Sequence, residues 1–265
     1  MGGAGNEFFQ VARAQSLRTL GFEVELVDPQ RIKKLLYKLI GFTYHKPWIN
    51  ISDVTGNLGL RVRNPSGLDY MILAIIFVVR KIGLSAGFNR PLIDIEGRSL
   101  RQNFFLKLDV GYFQSNAHLE SKSIKTVADA IIHSLDIAPS GSENTMVVHI
   151  RGGDVMVENQ ITDQDVASIV EFCVEKNMVL ACVSNDADYV RSKFGSLQYD
   201  VMSGGQSAKD DFIHLAGARN MYLSNSTFAF WGAFCARQLS PISVFGPKNW
   251  EFSDFIEVRD IRDAT

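Results

Sequence analysis

The sequence predicts an α/β protein made of two Rossmann-like halves joined near residue 140, and three observations carry that expectation. Beyond residue 145, short β-branched apolar runs alternate with helix-patterned segments, which is the pattern of a parallel sheet covered by helices on both faces. The stretch "DIAPSGSENT" (136–145) places Pro, Gly and Ser between two apolar-periodic segments and reads as a linker or exposed loop. Finally, the apolar run "VVHIRGGDV" (147–155) ends in an arginine, two glycines and an aspartate. In open parallel sheets it is beyond such carboxyl ends of strands that ligands bind.

The second half is the more regular. "TMVVHI" (145–150) reads as a strand, and "TDQDVASIVEFCVEKN" (162–177) as a helix with Thr162 as its cap. "MVLACVS" (178–184) is a second strand, followed by the short helix "DADYVRSKFG" closing on Gly195. "AKDDFIHLAGARN" (208–220) is helix, "MYLS" (221–224) strand, "NSTFAFWGAFCARQL" (225–239) helix and "PISVFGP" (241–247) a last strand. In the first half, "NEFFQVARAQSLRTL" (6–20) is a helix stopped by Gly21. "FEVELVD" (22–28) is a strand and "PQRIKKLLYKLIGF" (29–42) an amphipathic helix, with "RPLIDIEG" (90–97) and "FLKLDVGYFQS" (105–115) as further strand candidates.

Composition narrows the function classes. The 265 residues are 46% hydrophobic and 21% charged, with a formal net charge of -2 and a pI near 6.2. That is a soluble globular composition with no field to attract nucleic acid. Cys173, Cys182 and Cys235 lie in apolar segments and read as buried thiols of a reducing compartment, and no Cys or His pair has zinc-ligand spacing. The longest uncharged apolar run, Tyr70 to Val79, is far short of the roughly 20 residues that span a bilayer. Met1 leads into "GGAGN" with no export signal, so a cytoplasmic protein is expected. The helix carrying Arg31, Lys33, Lys34 and Lys38 opposite Ile32, Leu35, Leu36, Leu39 and Ile40 is either a solvated basic face or a peripheral contact with an anionic inner membrane.

Three stretches can present amides or a cation to a phosphate. At the end of "VVHI", Arg151 can grip phosphate oxygens bidentately, while Gly152 and Gly153 let a ligand approach the backbone; the alternative is a tight turn with Arg151 paired to Asp154. In "YLSNSTF", a strand runs through Ser224, Asn225, Ser226 and Thr227 into a helix, giving either an anion site or an ordinary N-cap. In "GGAGNEFFQ", a glycine loop leads through Asn6 as a cap into the first helix, with a flexible terminus as the alternative. "NDAD" (185–188) is read as helix capping and not as a metal motif. Phe228, Phe230, Trp231 and Phe234 are read mostly as core, and the N-glycosylation patterns at Asn50 and Asn225 are discounted.

Taken together and in order, these stretches resemble the bacterial α-1,2-fucosyltransferases. "GGAGNEFFQVARA" resembles that family's G-G-L-G-N-Q-M-F-Q-Y-A, "GYFQS" (111–115) its G-Y-[FW]-Q-S, and "VHIRGGDV" its V-H-[IV]-R-R-G-D-Y. "DDFIHLAGARNMYLSNSTFAFWGAF" resembles D-D-L-x-L-M-S-x-C-x-x-x-I-I-A-N-S-[ST]-F-S-W-W-G-A-W, and "FGPKNW" the P-x-x-W that follows. The resemblance implies two Rossmann-like domains facing a cleft (GT-B type), here 1–138 on the acceptor side and 139–265 on the nucleotide-sugar side. It implies transfer of L-fucose from GDP-β-L-fucose, with inversion and with neither metal nor cofactor, commonly to the 2-hydroxyl of a β-galactoside. The acceptor would be a surface-polysaccharide or oligosaccharide precursor, a lipid-linked one included.

Carried onto this chain, the resemblance has Arg151 grip the β-phosphate, with His149 supporting the same strand end. Asp211 would contact the nucleoside, Ser226 and Thr227 the pyrophosphate, and Phe228 would pack beside the nucleotide. Gly3, Gly5 and Asn6 would form the loop facing the donor sugar. The chain departs from the pattern at Gly152, where the family has a second arginine, and at Glu7, where it has glutamine. Glu7 is either the base for the acceptor hydroxyl or a first-turn carboxylate favouring the helix dipole. Family members also carry a β-strand before the glycine loop, so the irregular first half is expected to lack its usual first strand. Two further readings stay open: a transferase using another GDP-hexose, and a catalytically impaired GDP-sugar-binding protein.

Overall fold

The computed structural model describes residues 4–28, 30–32, 34, 48–71, 119–151, 161–195, 200–201, 207–247, 250 and 252–264. Outside them lie the expected strands at 90–97 and 105–115 with the "GYFQS" motif, most of the expected helix at 29–42 with Lys33 and Lys38, and the apolar run beyond Met71. Gly3, Gly152, Gly153 and Asp154 lie outside them too.

The second half folds as its alternating pattern predicts. Strands β3 (Thr145–Ile150), β4 (Val179–Ser184), β5 (Asp200–Val201), β6 (Asn220–Leu223) and β7 (Ser243–Phe245) form one five-stranded sheet in the order β5-β4-β3-β6-β7. Every pairing in it is parallel. The chain therefore builds outward from β3 to β5, returns, and lays β6 on the other side of β3. That reversal is the topological switch point of a doubly wound sheet. A separate parallel pair joins β1 (Glu25–Val27) to β2 (Arg61–Arg63), so the strand expected at 22–28 is only three residues long.

Side chains of successive strand residues point to opposite faces, and the two faces have separate cores. Met146, Val148, Ile150, Leu180, Cys182 and Tyr222 pack with Val166, Ile169 and Phe172 of one helix (Asp163–Glu175) and Val190 and Phe194 of another (Ala187–Phe194). The first of these helices is capped by Thr162 in a reciprocal box with Asp165, as expected. The second is capped by Asp186, which assigns "NDAD" to capping. The three cysteines are buried free thiols whose pKa burial pushes up.

On the opposite face, Val147, Val183, Met221 and Leu223 meet four helices: α1 (Ala4–Thr19), one spanning Ser121–Leu135, one spanning Ala208–Ala216, and the helix Thr227–Leu239 that follows β6. The Ser121–Leu135 helix buries Ile124, Val127, Ala128, Ile131 and Leu135, an i, i+3, i+4 stripe. It ends on Asp136 in the left-handed conformation, where the expected linker begins. Residues on both sides of position 138 thus share one core.

One expectation at the N-terminus is corrected. Asn6 does not cap α1, which already begins at Ala4 and includes Gly5 and Asn6. The reason is packing. A Cβ on Gly5 would lie 2.6 Å from Thr227 Oγ1, 2.8 Å from the Thr227 carbonyl carbon and 2.9 Å from the Phe228 nitrogen. The first helical turn is held against the start of the helix that follows β6, and only glycine fits there. Phe8 and Phe9 anchor the same contact. Phe9 stacks on Phe230 at 5.0 Å between centroids and on Phe252 at 5.7 Å, and Phe8 meets Trp231 edge-on at 5.7 Å.

Candidate active site at the switch point

The site is assembled where β3 and β6 end side by side. His149 pairs with Leu223 in the parallel register, and the Ser224 amide donates to the His149 carbonyl at 3.2 Å, extending the ladder one residue past β6. The chain then passes through Asn225 to Ser226, whose hydroxyl accepts from the Phe228 amide at 3.2 Å and caps the following helix. The ordinary N-cap reading of Ser226 therefore holds. The cap satisfies one of the amides that a helix start leaves unpaired, and the macrodipole still aims its positive end at the sheet edge.

His149 is buried, with its ring stacked on Phe228 at 5.6 Å and 30° between planes, and its Nδ1 lies 2.8 Å from Ser224 Oγ. Burial, reinforced by the neighbouring Arg151 guanidinium, pushes its pKa down to about 3, so the ring is neutral at physiological pH. Arg151 follows two residues later, just past the end of β3. Phe228 also meets Phe212 at 5.4 Å and Trp48 at 5.8 Å. Trp48 and Phe212 are partners that local patterning did not single out.

Asp211, in the first turn of the helix Ala208–Ala216, is half-buried. Among the described residues its buried Oδ1 has no hydrogen-bond partner, and neither has Nε2 of His214 one turn later. Burial, and then the nearby Asp210 carboxylate, push the Asp211 pKa up to about 6. Glu7, on α1, is 2% exposed, and Gln30 Nε2 donates to its Oε2 at 3.0 Å while also donating to the Ile49 carbonyl.

The structure thus brings His149, Ser226, Thr227, Phe228 and Gly5 into one contiguous group, with Arg151 beside His149 and Asn6 and Glu7 on the helical turn that starts at Gly5. Two helix N-termini meet there, since Gly5 of α1 touches Thr227 and Phe228 at the start of the other helix. A guanidinium and two positive helix ends beyond the carboxyl edge of a parallel sheet make an arrangement suited to a polyanion.

Against known families, the profile of glycosyl transferase family 11 matches residues 94–262. The chain belongs to that family, the α-1,2-fucosyltransferase family. No curated protein and no solved structure matches the chain. As a family 11 glycosyltransferase it uses a nucleotide-sugar donor and a glycan acceptor. The match takes in the whole five-stranded sheet, Arg151 and the helix start at Thr227. Gly5, Asn6 and Glu7 lie before it, and their link to the site rests on the packing of α1. No described helix is long and apolar enough to cross a membrane.

Two outcomes follow for this family 11 enzyme. Gly5→Ala forces a Cβ into backbone atoms of Thr227 and Phe228 and is expected to lower unfolding free energy by roughly 1–3 kcal/mol in urea melts; an unchanged midpoint would show that the two helices are not in contact. A raised native pKa at Asp211 favours the protonated fold, so this group's contribution is present below its ordinary value of 3.8 and lost as pH rises through about 6. Asp211→Asn is therefore expected to gain stability relative to the wild type between pH 4 and pH 7. A constant difference across that range would count against the burial of Oδ1.

Proposed function

We propose that the enzyme transfers L-fucose from GDP-β-L-fucose, with inversion and without a metal, to a hydroxyl of a glycan acceptor. A 2-hydroxyl of a β-galactoside in a surface-polysaccharide or oligosaccharide precursor is the expected target. The observation that carries the reading is the meeting of two helix N-termini beside Arg151 at the switch point of the sheet. In the same reading the two Rossmann-like domains are 1–138 and 139–265 in a GT-B arrangement, with α1 and the helix Ser121–Leu135 packed onto the second sheet. The enzyme works in the cytoplasm, with any membrane contact peripheral.

The acceptor oxygen attacks the anomeric carbon as the bond from that carbon to the β-phosphate oxygen breaks, and GDP leaves with the electron pair. Charge builds on the departing phosphate, so preorganised donors there lower the barrier. Arg151 supplies two of them from its guanidinium, and the amides at Thr227 supply the helix end. Phe228 packs beside the nucleotide, while Gly5 and Asn6 face the donor sugar. Asp211 accepts from the N–H groups on the guanine edge, which gives its unpaired Oδ1 a partner. Glu7 takes the acceptor proton. Its competing role is a purely structural one through Gln30.

Calorimetric titration with GDP, with and without magnesium, is the first test. Wild-type binding indifferent to magnesium is expected, and Arg151→Ala should weaken it by about 10–100-fold, the worth of lost charge-assisted hydrogen bonds. Retained affinity in that variant sinks the donor site. Glu7→Gln is expected to lower kcat by about 10²–10⁴ with GDP affinity unchanged; unaltered turnover assigns Glu7 to structure. Binding without transfer or hydrolysis of GDP-fucose would favour the impaired binding protein, which the glycine at position 152 also allows, and donor profiling would reveal another GDP-hexose.

A further inference from the structure

The contact between His149 Nδ1 and Ser224 Oγ joins the two strands that border the switch point, and its hydrogen can be assigned by accounting for donors. Ser224 is buried, and among the described residues its hydroxyl has no other hydrogen-bond partner. If Nδ1 carried the hydrogen and Oγ accepted it, the buried hydroxyl hydrogen would be left unsatisfied, which structures avoid. If Oγ donates to Nδ1, the pair is satisfied and the imidazole hydrogen sits on Nε2. Among the described residues Nε2 has no hydrogen-bond partner, so it keeps a donor for a ligand.

Ser224 itself is held from two further sides. Its amide donates to the His149 carbonyl, and its own carbonyl accepts from the Trp250 indole at 3.3 Å. Its side chain therefore approaches the ring from a fixed backbone. It also stands where the fucosyltransferase motif quoted above has alanine, so the hydroxyl is a feature of this chain and not of the motif.

We propose that Ser224 is a positioning residue that fixes His149 in the Nε2–H tautomer, so that the neutral imidazole joins Arg151 in donating to the diphosphate of the nucleotide sugar. The proposal rests on the donor-site reading above. In a site with only one arginine at this strand end, an uncharged second donor adds a hydrogen bond without adding like charge beside the guanidinium. Ring stacking on Phe228 sets the plane in which that donor lies.

The test uses the full chain labelled with 15N-histidine, the His149 signal being assigned by its loss in His149→Gln. Long-range 1H–15N correlation spectra of the ligand-free wild type should show His149 as the Nε2–H tautomer. In Ser224→Ala the two tautomers should mix, and GDP affinity should fall about fivefold, the worth of one hydrogen bond. Ser224→Thr, which keeps the hydroxyl, should restore both readouts and separates positioning from loss of fold. An Nδ1–H tautomer in the wild type overturns the proposal, as does Ser224→Ala binding GDP as tightly as the wild type. A wild type that binds no GDP fails the donor-site reading instead, and the tautomer spectra still decide the role of Ser224.

Discussion

Everything at the sheet edge depends on how closely α1 lies against the helix that follows β6. The distance is set by Gly5, which leaves no room for a side chain over Thr227 and Phe228, and it is maintained by Phe8 and Phe9 inserted among Phe230, Trp231 and Phe252. Aromatic pairs of this kind contribute about 0.5–1.5 kcal/mol each beyond their area burial, and several act together here. The glycine and the aromatic residues have complementary effects: one permits the approach, the others make it the stable arrangement. A separate element then has its positive end at the site even though it belongs to neither strand of the switch point.

The electrostatic balance follows from that geometry. Two macrodipole ends and a guanidinium create a positive region whose natural complement is an anion. Burial makes an imidazolium costly there, and the Arg151 guanidinium adds to that cost, so His149 is kept neutral. Asp211 stands in the opposite situation, a carboxyl with a buried oxygen that no donor among the described residues satisfies.

What the sequence makes legible is local. Short apolar runs alternating with helix-patterned segments located β3, β4, β6 and β7, and the Ser226 and Thr162 caps were readable as hydroxyls preceding apolar-periodic segments. Cysteines in apolar runs were correctly read as buried thiols. The helix Ser121–Leu135 carried a legible stripe at Ile124, Val127, Ala128 and Ile131, yet was obscured by the irregular segment before it. Asn6 looked like a cap because glycines usually precede helices as loops, whereas here Gly5 is helical for the sake of a distant contact. The pairings of His149 with Ser224 and of Glu7 with Gln30 join residues from different elements. Neither periodicity nor spacing carries that information, because each depends on which strands and helices become neighbours.

The order in which the chain is made acquires a meaning from the Phe9–Phe230 stack. These rings lie far apart in the sequence, with Phe252 later still. During synthesis, at about 5–20 residues per second, the first helix emerges on the order of ten seconds or more before its partners exist. Until then its apolar face is exposed to the nascent chain and to whatever holds it. The core on that side of the sheet relies on contacts of high sequence separation, the slowest kind to form. A ribosome-bound fragment ending before Thr227 would leave Phe8 and Phe9 without the rings that cover them in the folded protein.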